Sequence, residues 1–146
     1  MEGDSGMRTS KMMLFGALVG AMLFGLAGTA AAAAKATPRN GVCETGEFCL
    51  YYLSNRSGSV SDFNGSIPDY GASQPTCYEF KGPGAGQGQC VKNNAASAWN
   101  RTTANRVTVY VNSNYQGQGD LFQPGEGRNL IPALVNNNAS HRFVHI

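Results

Sequence analysis

Alternation of apolar and polar residues, rather than a helical period, dominates the chain from residue 41 onward. In residues 106–111, for example, Val107, Val109 and Val111 would share one face of a strand. Beyond the first 36 residues, no window has apolar side chains recurring every three or four positions. The pattern therefore predicts an all-β domain over residues 41–146.

Short apolar or aromatic runs between glycine, proline, asparagine and serine predict the individual strands. These strands are residues 48–53, 59–63, 77–80, 89–92, 106–111, 119–122 and 141–146, with a further strand-like piece within 128–135. Residues 82–88 contain four glycines and are predicted to form an exposed, mobile tip. Residues 37–42 are expected to be an exposed arm, and Trp99, the only tryptophan, is expected to anchor the core.

The chain contains an internal repeat. Six residues separate Tyr51 from Gly58, and six separate Tyr110 from Gly117. A phenylalanine follows each glycine five residues later, and a second pair of similar blocks comes further along, at 93–97 and 136–140. Because both blocks recur in the same order, they predict a duplicated structural unit, with unit one at 43–101 and unit two at 106–146.

The first 36 residues have the organisation of an export signal. Arg8 and Lys11 supply positive charge, an uncharged run extends from Met12 to Ala34, and small residues at 34 and 36 suit a signal peptidase. A membrane anchor is the alternative, but the second half of the run is mostly Gly, Thr and Ala and is weakly hydrophobic. We therefore expect a signal peptide over 1–36, cleaved between 30 and 36, and a secreted protein without membrane association.

Charge and residue types exclude several functions for the remaining part. The chain has 11 basic and 9 acidic side chains, of which 8 and 7 lie after residue 36. This balance provides no broad surface for nucleic acid. Along a strand His141 and His145 would stand about 13 Å apart, too far to share a metal ion. Because no serine or cysteine has the context of a catalytic nucleophile, we expect a non-enzymatic protein, and a monomer.

All four cysteines lie after the signal, at Cys43, Cys49, Cys77 and Cys90. Their number and the expected export predict two disulfides. Three pairings are possible from the sequence, of which Cys43 to Cys49 with Cys77 to Cys90 closes the shortest loops. The spacing fits a zinc site poorly.

An aromatic residue, six residues, a glycine and a later serine, found twice, resemble the Greek-key signature of the βγ-crystallin fold. The resemblance implies a sandwich of two Greek-key units, in which the glycine lets a hairpin fold over the sheet and the serine holds it there. The signature positions are Tyr51, Gly58, Ser97, Tyr110, Gly117 and Ser140.

The opening Cys43-x-x-Gly46-x-Phe48-Cys49, followed by this repeat, is similar to the secreted bacterial peptidase inhibitors of family I36. The resemblance covers about residues 41–146, and the best-known type of that family inhibits a metalloproteinase. It implies an extracellular protease as the partner of this chain.

Unit one is longer than unit two, and its extra residues indicate where an inhibitor could act. Between the repeated blocks, Phe63 and Asn93 are 30 positions apart, against 14 in unit two, so 16 residues are extra. A disulfide at the base of this glycine-tipped hairpin would add the stiffness that a substrate-like inhibitory loop needs. The alternative is that the insert is an additional hairpin without an inhibitory role. The candidate loop residues are Gly82, Pro83, Gly84, Gly86, Gly88, Cys90 and Val91, with the Cys90–Val91 bond as the first to test.

The blocks at 93–98 and 136–141 are similar to the calcium motif of microbial crystallins, although both lack its last serine. They would supply neutral oxygens rather than carboxylates, so only weak calcium binding is expected, and no other cofactor. The second functional hypothesis is therefore a non-inhibitory extracellular binding or structural module, stabilised by calcium. Its ligands would be Asn93, Asn94, Ser97, Asn136, Asn137 and Ser140.

Overall fold

The computed structural model describes residues 36–146, which form two antiparallel sheets. The predicted signal segment lies outside the described residues, apart from Ala36. Each predicted hairpin turn contains one short 3₁₀ turn, at Ser54–Arg56 and Ser113–Tyr115. Within residues 36–146, no helix has the length and apolar character needed to cross a membrane. The strands are β1 (Phe48–Leu53), β2 (Ser57–Phe63), β3 (Ser97–Asn100), β4 (Asn105–Asn112), β5 (Gln116–Phe122), β6 (Gly127–Asn129) and β7 (Ser140–His145).

The two units exchange edge segments, and this exchange produces a Greek-key sandwich. The first sheet has the order β2-β1-β3-β6, so that β6 of unit two lies beside β3 of unit one. The second sheet has the order β5-β4-β7, and Ile67 of unit one forms a bridge to His141 at its β7 edge. The all-β prediction and the βγ-crystallin-like architecture are therefore confirmed.

Because side chains alternate along each strand, every second side chain points into the space between the two sheets, as the pattern predicted. The Phe48 and Phe122 rings, one from each sheet, meet edge to face with centroids 5.8 Å apart. Val111 is the exception, because the β4–β5 register shifts between Tyr110 and Asn112 and leaves its side chain only partly buried. The buried side chains from the strands include Phe48, Leu50, Phe63, Val107, Val109 and Phe122.

The predicted strands at 77–80 and 89–92 are wrong. The segment has one isolated bridge, between Glu79 and Cys90, and otherwise consists of turns. It nevertheless contributes Tyr70, Phe80 and Val91 to the core, each fully buried. Three buried side chains and a disulfide fix the segment without a ladder of backbone hydrogen bonds.

Trp99 was also predicted wrongly, because it does not lie in the main core. On β3 the inward position belongs to Ala98, so the neighbouring indole points outward. There it is partly buried, with the guanidinium groups of Arg56 and Arg101 4.7 Å and 4.6 Å from its ring centroid. Its indole N–H donates to the Gly125 carbonyl at 3.3 Å.

The arm at 37–42 is attached rather than free. The backbone N–H groups of Asn40 and Gly41 donate to the buried Asp62 carboxylate at 2.9 Å and 2.7 Å. The Arg39 guanidinium donates to the Glu79 carbonyl at 2.8 Å and stacks on Phe63. The prediction of an exposed arm therefore holds for some side chains and fails for the backbone.

Candidate functional site

Both disulfides follow the local pairing. Cys43 is bonded to Cys49 and Cys77 to Cys90, with Cα–Cα distances of 5.9 Å and 5.6 Å. The first bond closes a turn at the start of β1, and the second joins the two ends of the inserted segment. No cysteine is left free as a nucleophile or a thiolate ligand.

The glycine-rich segment lies across the first hairpin and is pinned to it. Val60 on β2 accepts hydrogen bonds at its carbonyl from the N–H groups of Lys81 and Gly82 at 2.9 Å and 3.0 Å. Ser59 donates its N–H to the Ala85 carbonyl at 2.9 Å. The predicted mobile tip is therefore held by the backbone on the β2 side.

Gly86 shows why glycine is needed in this segment. A Cβ at this position would lie 2.2 Å from the nearest atom of the Tyr52 ring, and the residue has φ of +87°. Both the close approach and the left-handed backbone exclude other side chains. The segment thus packs directly on an aromatic ring, which limits its freedom to move.

Exposure divides the predicted loop residues into two groups. Pro83, Gly84 and Gly88 are exposed and Gly86 is partly exposed, whereas Gly82 and Val91 are buried. Val91 is fully buried and donates its N–H to the Tyr78 carbonyl at 2.8 Å. The Cys90–Val91 bond is therefore not presented to a protease, because the Val91 side chain is packed in the core.

We call the exposed part of this segment, residues 83–89, the glycine rim.

A second exposed segment, residues 72–76, borders the same face of the insert, and we call it the proline rim. All five residues are exposed, and the next residue is the disulfide-bonded Cys77. Gln74 donates through Nε2 to the Gly88 carbonyl at 2.7 Å and to Glu79 Oε2 at 3.0 Å. Outside the predicted strands, nothing in the apolar and polar pattern marked this stretch as part of a site.

The signature serines hold equivalent turns in the two units. Ser97 donates its hydroxyl to the Leu53 carbonyl at 2.6 Å and accepts from the Arg56 N–H at 2.9 Å. Ser140 does the same with Asn112 at 2.6 Å and Tyr115 at 3.1 Å. The signature glycines, Gly58 and Gly117, are the second residues of β2 and β5 and have φ of +74° and +78°.

Tyr51 and Tyr110 lie directly opposite these serines in their sheets. Tyr51 is 9% exposed and packs with Cys49 and Val60. Tyr110 is partly exposed and lies 6.1 Å from the Tyr115 ring. All six signature residues thus occupy matching places in the two units.

The two candidate calcium blocks meet at the junction of the units. Asn93 donates its N–H to the Asn138 carbonyl at 2.7 Å, and Asn136 donates to the Ala95 carbonyl at 2.8 Å. Asn94 and Asn137 instead donate their side-chain amides to nearby carbonyls, Cys90 and Ala133 respectively.

Neither block keeps a free serine hydroxyl. Ser97 and Ser140 both use theirs on the hairpins, and the position of the missing last serine holds Ala98 in one copy and His141 in the other, both fully buried. Among residues 36–146, no three His, Cys, Asp or Glu side chains come together as a metal site. Weak calcium binding stays a prediction.

His141 is a buried structural histidine. Its Nδ1 lies 2.8 Å from the Tyr70 hydroxyl and its Nε2 lies 2.9 Å from the Gly65 carbonyl. Because Gly65 can only accept, Nε2 carries the proton and the tyrosine hydroxyl donates to Nδ1. Burial lowers the pKa of His141 to about 3, so the ring is neutral at physiological pH.

Among the solved structures, the chain is similar to one of the eye lens βγ-crystallin domain fold. The TM-score is 0.55 at 13% sequence identity, over 73% of this chain and 95% of that one. The N-terminal domain of protein S has 18% identity and a TM-score of 0.46, covering 68% of this chain and 97% of its own. A βγ-crystallin domain from Flavobacterium johnsoniae has 16% identity and a TM-score of 0.44, covering 67% and 93%. At these identities the first match shows the fold alone.

Sequence comparison gives the family. A search of curated proteins finds no match. The family model described as peptidase inhibitor family I36 matches residues 36–122, which include both disulfides, the whole insert and both repeated hairpins. Because this match spans more than half of the chain, the protein belongs to peptidase inhibitor family I36.

Proposed function

We propose that this protein is a secreted inhibitor whose glycine rim, residues 83–89, occupies the cleft of an extracellular protease. The observation that carries the proposal is the combination of exposure and restraint in one segment. Pro83, Gly84 and Gln87 are exposed, whereas the backbone on either side is hydrogen-bonded to β2 or to Phe80. A loop that is fixed before binding loses little conformational entropy when it binds.

Both ends of the glycine rim are attached to the body of the domain. Gly82, just before the rim, donates its N–H to the Val60 carbonyl at 3.0 Å, and the last two residues of the rim bond to Phe80. Phe80 donates its N–H to the Gln89 carbonyl and accepts at its own carbonyl from the Gly88 N–H, each at 2.9 Å. The Phe80 ring is fully buried and lies edge to face with Tyr52 at 5.6 Å. If a protease cut the rim, the new ends would therefore stay near each other, which favours religation and slow release.

The composition of the glycine rim supports a metalloprotease as the target. Its residues are Pro, Gly, Ala and Gln, with no charged side chain. A trypsin-like pocket requires a basic side chain, which the rim does not provide. Proteases that accept small or uncharged residues, including thermolysin-like metalloproteases, fit the rim better.

An inhibition assay tests this proposal directly. The oxidised protein is titrated against a thermolysin-like metalloprotease and against trypsin. We expect inhibition of the metalloprotease at micromolar or lower concentration and none of trypsin. If neither enzyme is inhibited, the proposal fails and the non-inhibitory extracellular module becomes the better hypothesis.

Matched substitutions localise the inhibitory surface. Gln87→Arg places a long charged side chain on the exposed glycine rim, and we expect inhibition to weaken at least about tenfold, or about 1.4 kcal/mol. Gln118→Arg makes the same change at an exposed position of unit two, which has no insert, and should leave inhibition unchanged. Equal effects of the two variants would place the binding surface elsewhere.

A further inference from the structure

The proline rim, residues 72–76, is a run of exposed residues with no assigned role. It follows the partly exposed Gly71, where a Cβ would lie 2.8 Å from Cys77 Cα, and it ends just before that disulfide-bonded cysteine. Within the rim, the carbonyl of Ser73 accepts hydrogen bonds from the N–H groups of Thr76 and Cys77 at 3.2 Å and 3.0 Å. The rim is therefore a closed turn, held at one end by the same disulfide that supports the glycine rim.

Gln74 joins the two rims through its side chain. Its Nε2 lies 2.7 Å from the carbonyl oxygen of Gly88, inside the glycine rim, and 3.0 Å from Glu79 Oε2. Both contacts use a donor of the amide, and both partners are acceptors. Lys81 Nζ lies 2.6 Å from the other Glu79 oxygen and keeps this carboxylate in place. The link therefore depends on the direction of the hydrogen bonds as well as on shape.

We propose that the two rims form one protease-binding surface, in which the proline rim is the second contact edge and Gln74 is the positioning residue that fixes the glycine rim. The proposal rests on the inhibitory function given above. Exposure of both rims makes the surface accessible, and the single side chain between them couples their positions. A protease that binds the glycine rim would also contact the proline rim beside it.

The link is strongest when the Glu79 carboxylate is ionised. Hydrogen bonds from Lys81 and Gln74 lower the pKa of Glu79, so the carboxylate is charged at neutral pH. A charged acceptor makes a stronger hydrogen bond with the amide than a neutral one would. Gln74 thus contacts a charged carboxylate on one side and the Gly88 carbonyl of the glycine rim on the other.

Gln74→Glu is the sharpest test, because the new side chain has the same shape but no donor. It would place an acceptor against the Gly88 carbonyl and a negative charge against Glu79. We expect inhibition of the metalloprotease to weaken about tenfold and cleavage within residues 83–89 to become about tenfold faster. The thermal midpoint should change little, because Gln74 is exposed. Gln118→Glu, on unit two, is the matched control for the added charge.

A second substitution separates the contact with Gly88 from the contact with Glu79. In the double variant Gln74→Glu with Glu79→Gln, the amide at position 79 can donate to the carboxylate at position 74, but the Gly88 carbonyl still lacks its donor. We therefore expect this variant to inhibit as weakly, and to be cleaved as fast, as Gln74→Glu. Full recovery would show that repulsion between positions 74 and 79 caused the loss and would overturn the role of the Gly88 contact.

Ser73→Arg tests the second contact edge separately. The side chain is exposed, so we expect weaker inhibition of about tenfold with an unchanged cleavage rate in residues 83–89. Gln123→Arg, exposed on unit two, is the control. Wild-type inhibition by Ser73→Arg would remove the proline rim from the contact surface.

The outcomes distinguish this inference from the proposed function. If the wild-type protein inhibits neither protease, the proposed function fails, yet the cleavage rates of the wild type and Gln74→Glu by subtilisin still report on the link. If Gln74→Glu inhibits like the wild type and is cleaved at the same rate, the link is overturned while the inhibitory function stands.

Discussion

His141 shows how one residue can make the fold sensitive to acid. Because burial lowers its pKa to about 3, below the ordinary value of 6.5, the unfolded chain binds a proton at higher pH than the folded protein. Its contribution to stability is therefore complete above about pH 6.5 and is lost as the pH falls from there toward 3. Within that range we expect about 1.4 kcal/mol of lost stability per pH unit.

Urea unfolding at pH 7.5, 6.5 and 5.5 measures this loss. His141→Asn removes the titrating ring, so its unfolding free energy should change less over the same range than that of the wild type. Burial raises the pKa of Glu47, which acts in the opposite direction, and the comparison at equal pH cancels that contribution. His145→Asn is the control, since His145 is exposed. Equal pH slopes for His141→Asn and the wild type would contradict the assignment.

The sequence predicted part of what these residues do. The rise per residue of a strand was enough to argue that His141 and His145 are too far apart to share a metal ion. The sequence could not identify Tyr70 as the partner of His141, because that contact joins residues 71 positions apart and depends on a segment of turns. The burial of Val91 was missed for the same reason, since no period marks which residues of an irregular segment face the core.

At the scale of the element, the duplicated hairpins were the most predictable part of the fold. Their glycines and serines were found by spacing, because a left-handed turn and its hydroxyl partner need particular residue types. The outer faces of the two units were not predictable in this way. In unit one Arg56 stacks on Trp99, whereas in unit two Tyr115 and Arg142 occupy the same offsets from the repeat.

The swap of cation and aromatic ring between the two units explains why Trp99 was wrongly predicted to lie in the core. The cation and the aromatic ring have changed places between the copies, with 4.7 Å from guanidinium to ring in one and 5.7 Å in the other. The contact between turn and third strand is therefore kept while the residue types are not. A search for identical residues cannot detect it, and a lone tryptophan then resembles a core anchor.

The hairpin ties lead to a prediction about both units. Ser97→Ala removes the bridge between the Leu53 carbonyl and the Arg56 N–H, and Ser140→Ala removes the equivalent bridge in unit two. Because the geometry is the same, we expect each change to lower the free energy of unfolding by about 1–2 kcal/mol. Urea titration measures the loss, with the exposed Ser57→Ala as a control of small effect. A loss confined to one serine would show that the ties are not equivalent.

At the scale of the whole molecule, each sheet of the sandwich contains or contacts a segment from the other unit. The crossing of β6 and Ile67 to the sheets of the other unit was not predicted, because strands of three residues or fewer leave little pattern. Fully buried Asn138 strengthens the junction by accepting from the Ala95 N–H at 3.1 Å and donating to the Val91 carbonyl at 3.1 Å. The insert is thereby connected to unit two as well as to the first hairpin.

The two disulfides should consequently differ in what they contribute. Cys43–Cys49 closes a loop with a sequence separation of 6, and Cys77–Cys90 one of 13. Loop entropy gives about 2.4 kcal/mol for the first and about 3 kcal/mol for the second, so the stability losses on replacement by alanine pairs should be similar. Their effects on inhibition should differ, because only the Cys77–Cys90 bond lies at the ends of the two rims.

Inhibition should therefore weaken strongly in Cys77→Ala/Cys90→Ala and persist in Cys43→Ala/Cys49→Ala. Inhibition constants measured well below each variant's thermal midpoint separate this effect from unfolding, and equal losses of inhibition would show that the Cys77–Cys90 bond acts only through global stability.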